Sequence, residues 1–280
     1  MCGRYAASKD QAELVEEFDV ELVATAPGRS LLVSPQTPPP GEPDYNMAPT
    51  KQAPVVLTRS PRGVEEPSSP VRQLRLLTWG LVPSWSKDAK GAARMVNARV
   101  ETVLEKPAYR AAVTSRRCLV PARGWYEWQP SPTVTDAKGK PRKQPFFIHR
   151  LDGATAAFAG LYEFWRDPAV TDRDDPAAWL ATFTIVTTAA DPGLDRIHDR
   201  QPLVLDPEDW ATWLDPAITT PADLEPILRG HQREQGRFAA YPISTAVNRA
   251  ANTGPDLLLP ALPEELRGVV DPTTGEIIGS

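Results

Sequence analysis

The residues best suited to chemistry stand at the start of the chain, in Met1-Cys2-Gly3-Arg4-Tyr5. Removal of Met1, which a small second residue permits, leaves a cysteine with a free α-amine beside its thiol. Such an aminothiol condenses with an aldehyde: the amine forms an imine, and the thiol then closes a thiazolidine ring. An internal cysteine cannot do this. The α-amine titrates at ~7.7–8.0, so roughly a fifth to a third is neutral near physiological pH, against about 0.1% of a lysine amine. Covalent use of Cys2 is therefore chemically economical. The competing reading is a frayed terminus with an arbitrary second residue.

Further in, polar residues interrupt segments that otherwise read as strands. In Asn97-Ala98-Arg99-Val100-Glu101, strand alternation puts Asn97, Arg99 and Glu101 on one face. An exposed strand explains that pattern as well as a site does. In Gly124-Trp125-Tyr126-Glu127-Trp128 one carboxylate sits among three aromatic rings. Burial there would raise its pKa and suit it to proton transfer; a rim glutamate flanked by packed rings is the alternative. His198 lies between charges in Ile197-His198-Asp199-Arg200, where a structural histidine is equally at home. Trp79 and Trp85 flank Gly80-Leu81-Val82-Pro83, either as core or as a platform for stacking bases.

These residues need a scaffold, and the chain reads as short strands punctuated by turns, with a few capped helices. Ser8 and Gln11 match a capping box, with Leu14, Val15 and Phe18 on the apolar face of the helix that follows. Residues 24–43 are proline-rich and read as a surface loop. Strands are expected near Val55–Thr58 and over Val71–Trp79. A helix opened by Pro107 should run through Val113, and a strand pair over Cys118–Trp128 should break at Pro121–Gly124. Residues 129–145 form a polar hairpin extension. Strands at Pro145–Arg150, Ala156–Trp165 and Leu180–Thr188 follow, the last two separated by a charged loop at 166–178.

Asp206 then caps a helix that begins at Pro207 and turns Trp210, Trp213 and Leu214 inward. Thr220-Pro221 starts another, closed by Gly230, and the tail over 253–280 is peripheral apart from a helical patch at Pro263–Arg267. Many strands in irregular order with separate helices indicate an α+β fold on one curved sheet system.

Composition narrows the function. The 280 residues are 41% hydrophobic with eight tryptophans, enough for a substantial core in one domain with insertions or in two. No apolar run reaches the ~18 residues of a membrane span, and the first residues lack a charged region followed by an apolar segment, so neither a membrane span nor secretion is expected. Two cysteines and three histidines supply neither a disulfide framework nor a metal cluster, so no metal and no other cofactor is expected, in a reducing cytosol. The net charge of −5 is unevenly spread. Residues 90–123 carry eight Lys/Arg against Glu101 and Glu105, whereas residues 191–230 carry nine acids against three Arg. A basic stretch in an acidic protein suits one local anionic partner, though a solvated surface produces the same counts.

Taken together, MCGRY, YNMAPT, WGLVPSW, NARVET, CLVPARGWYEW and IHDRQPLVL stand in an order that resembles the SRAP family, the SOS response-associated peptidases. The resemblance spans residues 1 to about 250. It implies a single SRAP-like domain over 1–252, with a curved mixed and antiparallel, barrel-like β core and peripheral short helices. It also implies that the protein binds single-stranded DNA and captures abasic sites through Cys2. Carried over by motif, Cys2 is the covalent residue, Asn97 holds its amine, Glu127 is the acid/base carboxylate and His198 the assisting imidazole. Arg4, Asn46, Trp79, Trp85, Arg99 and Trp128 would line the DNA groove. Gln201 departs from the family, which commonly has Met there, and the loops at 24–43, 129–145 and 166–178 look longer than usual.

A monomeric, cytoplasmic bacterial protein, associated with the nucleoid when DNA is damaged, is expected on this resemblance. The family is also credited with removing its own residues ahead of the cysteine, here Met1 alone. Two other classes stay open on the residues alone. An N-terminal-nucleophile amidohydrolase also begins Met-Cys-Gly and would act on glutamine. A non-covalent single-strand-binding protein would bind DNA equally well without Cys2.

Overall fold

The computed structural model describes residues 2–61, 69–172, 174–230 and 236–279. The chain enters through a three-residue strand, β1 (Tyr5–Ala7), and a helix, α1 (Gln11–Glu17). The capping box falls on Asp10 and Glu13 rather than Ser8 and Gln11. Each side chain accepts from the other's backbone amide at 2.9 Å, and two carboxylates suit the positive end of the helix. Leu14 and Phe18 are buried, as their spacing predicts.

After β2 (Leu22–Ala24) the proline-rich stretch holds no regular element. It is nonetheless anchored, because Gln36 donates to the Gln52 carbonyl at 2.9 Å and accepts the Gln52 amide at 2.7 Å. Then come β3 (Asp44–Met47), β4 (Gln52–Arg59), β5 (Val71–Trp79) and a short β6 (Asn97–Arg99). Helix α2 (Arg110–Ser115) starts beyond Pro107, which lies in a turn instead. The reason is Tyr109: its buried ring carries the hydroxyl to the Asn97 carbonyl, and the helix begins only after it.

Strands β7 (Arg117–Ala122) and β8 (Gly124–Thr135) are separated by Arg123 alone, a sharper break than the four residues expected. A side chain at Gly124 would collide with the Ile148 carbonyl and the Phe147 ring, so only glycine fits this corner. There follow β9 (Pro141–Arg150), β10 (Ala156–Arg166), β11 (Trp179–Ala189), β12 (Arg200–Pro202) and β13 (Val204–Leu205). Helices α3 (Pro207–Leu214) and α4 (Pro221–Gly230) and strand β14 (Phe238–Pro242) complete the order. Asp206 occupies the cap position of α3, but its carboxylate receives Arg150 and Arg237 at 2.6 and 2.7 Å and does not cap the helix. Two guanidinium partners outcompete a backbone amide.

The expected barrel-like core is built with two sheets. The first has the order β14-β9-β8-β1-β3, the second β12-β11-β10-β7-β4-β5-β2. Parallel pairing of Phe183 with Trp79 joins β11 back to β5 and closes the middle of the second sheet into a five-stranded barrel. Tyr5, Trp79, Trp125, Phe158 and Phe183 fill the space inside, packed edge-on or stacked at 5.1–6.4 Å. The helices cover the outside, where Phe18 stacks on Trp210 at 4.4 Å and Trp213 donates to the Cys118 carbonyl. The tail joins the core too: Leu257 and Val269 are buried, the latter beside Leu194 and Ile197.

Candidate active site

Cys2 stands just ahead of β1, which runs between β3 and β8 in the interior of the first sheet. This placement buries it completely. Burial, reinforced by the nearby Glu127 carboxylate, pushes the thiol far above its ordinary range, so the sulfur rests as a thiol. Asn97 donates from Nδ2 to the Cys2 carbonyl at 2.7 Å. That bond fixes the backbone that carries the amine, the group the family resemblance assigns to Asn97. Asn97 Oδ1 is buried with no hydrogen-bond partner among the described residues. Asn97 is itself set by parallel pairing of β6 with β11, opposite Ile185.

Alternation along β8 places Trp125, Glu127, Gln129 and Ser131 on one buried face. Glu127 is 3% exposed, and loss of hydration lifts its carboxyl to about 7, with the positive chain terminus pulling down and Asp199 pushing up. A carboxyl there is half protonated at neutral pH and can both give and take a proton.

His198 follows a short helical turn, Leu194–Arg196. Burial and the positive terminus lower its pKa, which favours the neutral ring. Nδ1 then accepts the Arg200 amide at 3.0 Å, leaving the proton on Nε2. Asp199 Oδ1 also lies 3.0 Å from this nitrogen, an ion pair only when the ring is protonated. The field of one amino terminus thus acts on Cys2, Glu127 and His198 alike.

The residues expected in a DNA groove divide. Arg4 lies 6.0 Å from the Trp128 ring, and Trp128 donates to Asn248 at 2.7 Å. Asn46 is fully buried: Oδ1 accepts from Arg4 at 2.7 Å, and Nδ2 donates to the carbonyls of Val247, Arg249 and Asn252. It therefore positions Arg4 and offers no surface to DNA. Trp79 is likewise buried, its Nε1 bonded to the Val96 carbonyl at 2.9 Å, so it is core and not a stacking platform. Trp85, 67% exposed, and the exposed Arg99 stay available. Of the basic stretch, Arg117 is buried on the carbonyls of Val113, Trp213 and Asp215, and Arg116 is paired with Glu163.

Sequence reasoning passed over Gln129 and Arg200. Gln129 sits on the face of Glu127 two residues on, a spacing that strand alternation makes readable. Arg200 clamps Glu101 with two nitrogens and donates to the Thr187 carbonyl. Among the described residues no helix is long and apolar enough to cross a membrane, and no group of three or more His, Cys, Asp or Glu is placed to hold a metal.

A buried Cys2 with its carbonyl held by Asn97, on this barrel, belongs to a class with known members. The model of the SOS response associated peptidase (SRAP) family matches residues 1–250, and the chain belongs to that family. It is 34% identical over 260 residues to the abasic site processing protein YoqW of Bacillus subtilis (strain 168), covering 92% of this chain and 99% of the relative. To the abasic site processing protein YedK of Escherichia coli (strain K12) it is 32% identical, over 93% and 100% of the two chains. A crystal structure of a phage-related protein from Bordetella bronchiseptica is also similar, with a TM-score of 0.58 at 31% identity over 87% and 95% of the chains.

Proposed function

We propose that this protein processes abasic sites in DNA by forming a covalent bond through Cys2. The observation that carries the reading is the pinned Cys2 backbone, held by Asn97 beside a Glu127 carboxyl poised near 7. The abasic site processing proteins it resembles bear the activity in their names.

The chemistry follows from the states of the groups. With Met1 gone, the Cys2 amine attacks the aldehyde of the ring-opened deoxyribose. Protonated Glu127 delivers a proton to the departing hydroxyl, and water leaves as the imine forms. The thiol is not ionised, so it cannot act first; it adds to the imine carbon while its proton passes through the Glu127 carboxylate to the imine nitrogen. One C–N and one C–S bond form and one water is lost. His198, with a proton on Nε2, assists opening of the sugar ring. Arg4 and Arg99 meet phosphates, and Trp85 and Trp128 stack on neighbouring bases, which gives single-strand binding without sequence preference. Removal of Met1 by the protein itself belongs to this reading, as does a monomer acting in the bacterial cytoplasm.

The test is incubation with abasic single-stranded oligonucleotide followed by a denaturing gel. Wild-type protein should give a stable adduct. Cys2→Ala should give none, and Cys118→Ala should match wild type, because Cys118 is buried in β7 without an adjacent amine. Equal yields from both variants would sink the reading, and unchanged DNA binding with no adduct from any form would favour a non-covalent single-strand binder. Mass spectrometry of active protein should show Cys2 first.

A further inference from the structure

The loop from Asp191 to Asp199 carries His198 at its far end and is held by Gln201, Gln129 and the C-terminal segment. Gln201, at 4% exposure, accepts the Asp191 amide at 2.9 Å and fixes the loop's entry. Gln129, at 1%, fixes the turn that presents His198. Its Nε2 donates to the Arg196 carbonyl at 3.0 Å and to the Val270 carbonyl at 2.9 Å, and its Oε1 accepts the Val270 amide at 2.8 Å. Both amide protons and one acceptor position are thereby used. Arg196 closes the turn whose Leu194 carbonyl accepts the His198 amide at 3.0 Å.

The C-terminal segment presses on the same turn from the other side. The Arg196 guanidinium donates to the carbonyls of Pro272 and Thr273 at 2.5 and 3.2 Å. Ser131, next after Gln129 on the buried face of β8, donates to the Gly268 carbonyl at 2.6 Å. Val269 packs in the cluster that contains Leu194 and Ile197. The family match ends at residue 250, so this strap lies beyond it.

We infer that the C-terminal strap over residues 262–278, acting through Gln129 and Arg196, is a positioning element that holds His198 to the strand bearing Glu127. Gln129 is the junction: one side chain ties the acid/base strand, the His198 turn and the strap. The inference rests on the role of His198 proposed above. A histidine on a loop delivers a proton at a useful rate only if its ring is held within a fraction of an ångström of the reacting oxygen, and a misplacement of about 1 Å costs on the order of 10²-fold.

The experiment measures adduct rate at saturating abasic single-stranded DNA, and affinity for the intact strand, in Gln129→Ala, Arg196→Ala, Arg196→Lys and Gly268→Ala. Each is made alone and combined with His198→Ala. Gly268 has φ +75°, and a Cβ there would collide with the side chains of Ser131, Thr133 and Val134, so Gly268→Ala lifts the strap without altering Gln129. Gln129→Ala, Arg196→Ala and Gly268→Ala should each lose roughly tenfold to a hundredfold in saturated rate while intact-strand affinity stays within about twofold. Arg196→Lys should recover most of the rate, since an ammonium still reaches one carbonyl.

In the His198→Ala background the same changes should cost nothing further, because the group they position is gone. A merely structural role would lower the active fraction with and without His198. Wild-type saturated rates in folded Arg196→Ala and Gly268→Ala, or equal losses in both backgrounds, would overturn the inference. Should Gln129→Ala not fold, the other two variants decide it. His198→Ala at the wild-type rate would instead refute the proposed role of His198, a failure visible before any support variant is made.

Discussion

Asn97 reaches back across 95 residues of sequence to donate its amide to the carbonyl oxygen of Cys2 at 2.7 Å. The partner atom matters, because a bond to the carbonyl orients the amine without engaging its lone pair. Asn97→Ala should therefore leave intact-strand binding unchanged and slow the saturated adduct rate roughly tenfold to a hundredfold. Asn97→Asp should be slower still, since it removes the donor and sets a negative charge against the Cys2 carbonyl oxygen. A rate equal to wild type in Asn97→Ala would show that the terminus needs no anchor.

Glu127 links function to stability through pH. Burial raises its carboxyl from 4.5 to about 7, so the folded protein keeps a proton that the unfolded chain releases. The stability this confers is whole below about 4.5 and is lost as pH rises through about 7. Glu127→Gln cannot ionise and should be more stable than wild type at pH 8 by up to about 3 kcal/mol, with the advantage vanishing near pH 4. Its saturated adduct rate should fall by about 10²–10⁴-fold. Urea unfolding of both proteins at the two pH values checks this, and parallel pH dependences would contradict the assigned shift.

The two tryptophans of one motif should separate cleanly. Trp79→Ala opens a cavity among Tyr5 and Phe183 and should cost about 3–5 kcal/mol of stability. Trp85→Ala should leave stability within about 0.5 kcal/mol and weaken single-strand binding by roughly 1–3 kcal/mol. Thermal melts with affinity titrations decide; a destabilised Trp85→Ala with normal affinity would reverse the assignment.

Asn46 and Arg99 form a second contrast. Asn46→Ala takes a donor from the carbonyls of Val247, Arg249 and Asn252 and an acceptor from Arg4, while Arg4 still holds Val247 and the Asn252 amide still holds Arg249, so it should destabilise by about 1–3 kcal/mol. Arg99→Ala touches only surface and should reduce the salt dependence of single-strand affinity by about 0.7 in logarithmic slope, equally for intact and abasic strands. Affinity measured across a salt series tests it, and an unaltered slope would remove Arg99 from the phosphate path.

What the sequence made legible is local or periodic. Val71–Trp79 reads as a strand because its apolar run is bounded by turns, and it is β5 to the residue. Glu127 among aromatics leaves burial and a rim position open in sequence, and alternation with the buried Trp125 along β8 places it inside. Asn46 and Trp79 were misplaced because nothing near them in sequence reveals their partners. The carbonyls that consume Asn46 arrive some two hundred residues later, and the carbonyl that takes the Trp79 indole belongs to Val96. Ser8 fits the capping template as well as Asp10 does, and only the helix start separates them. The support of His198 was invisible for the same reason as Asn46: it depends on where residues 268–273 come to rest.

The interior position of β1 turns the usual behaviour of a chain end around. Ends of chains ordinarily fray and exchange their amide protons within moments, yet Tyr5 is paired to strands on both sides, Ala6 is paired to β8, and both are wholly buried. Their backbone protons should exchange only through global opening, at the rate of the most protected core strands. Cys2, three residues ahead of Tyr5, therefore begins its reaction from a backbone that is already ordered, with no loose end to gather before the amine is aimed.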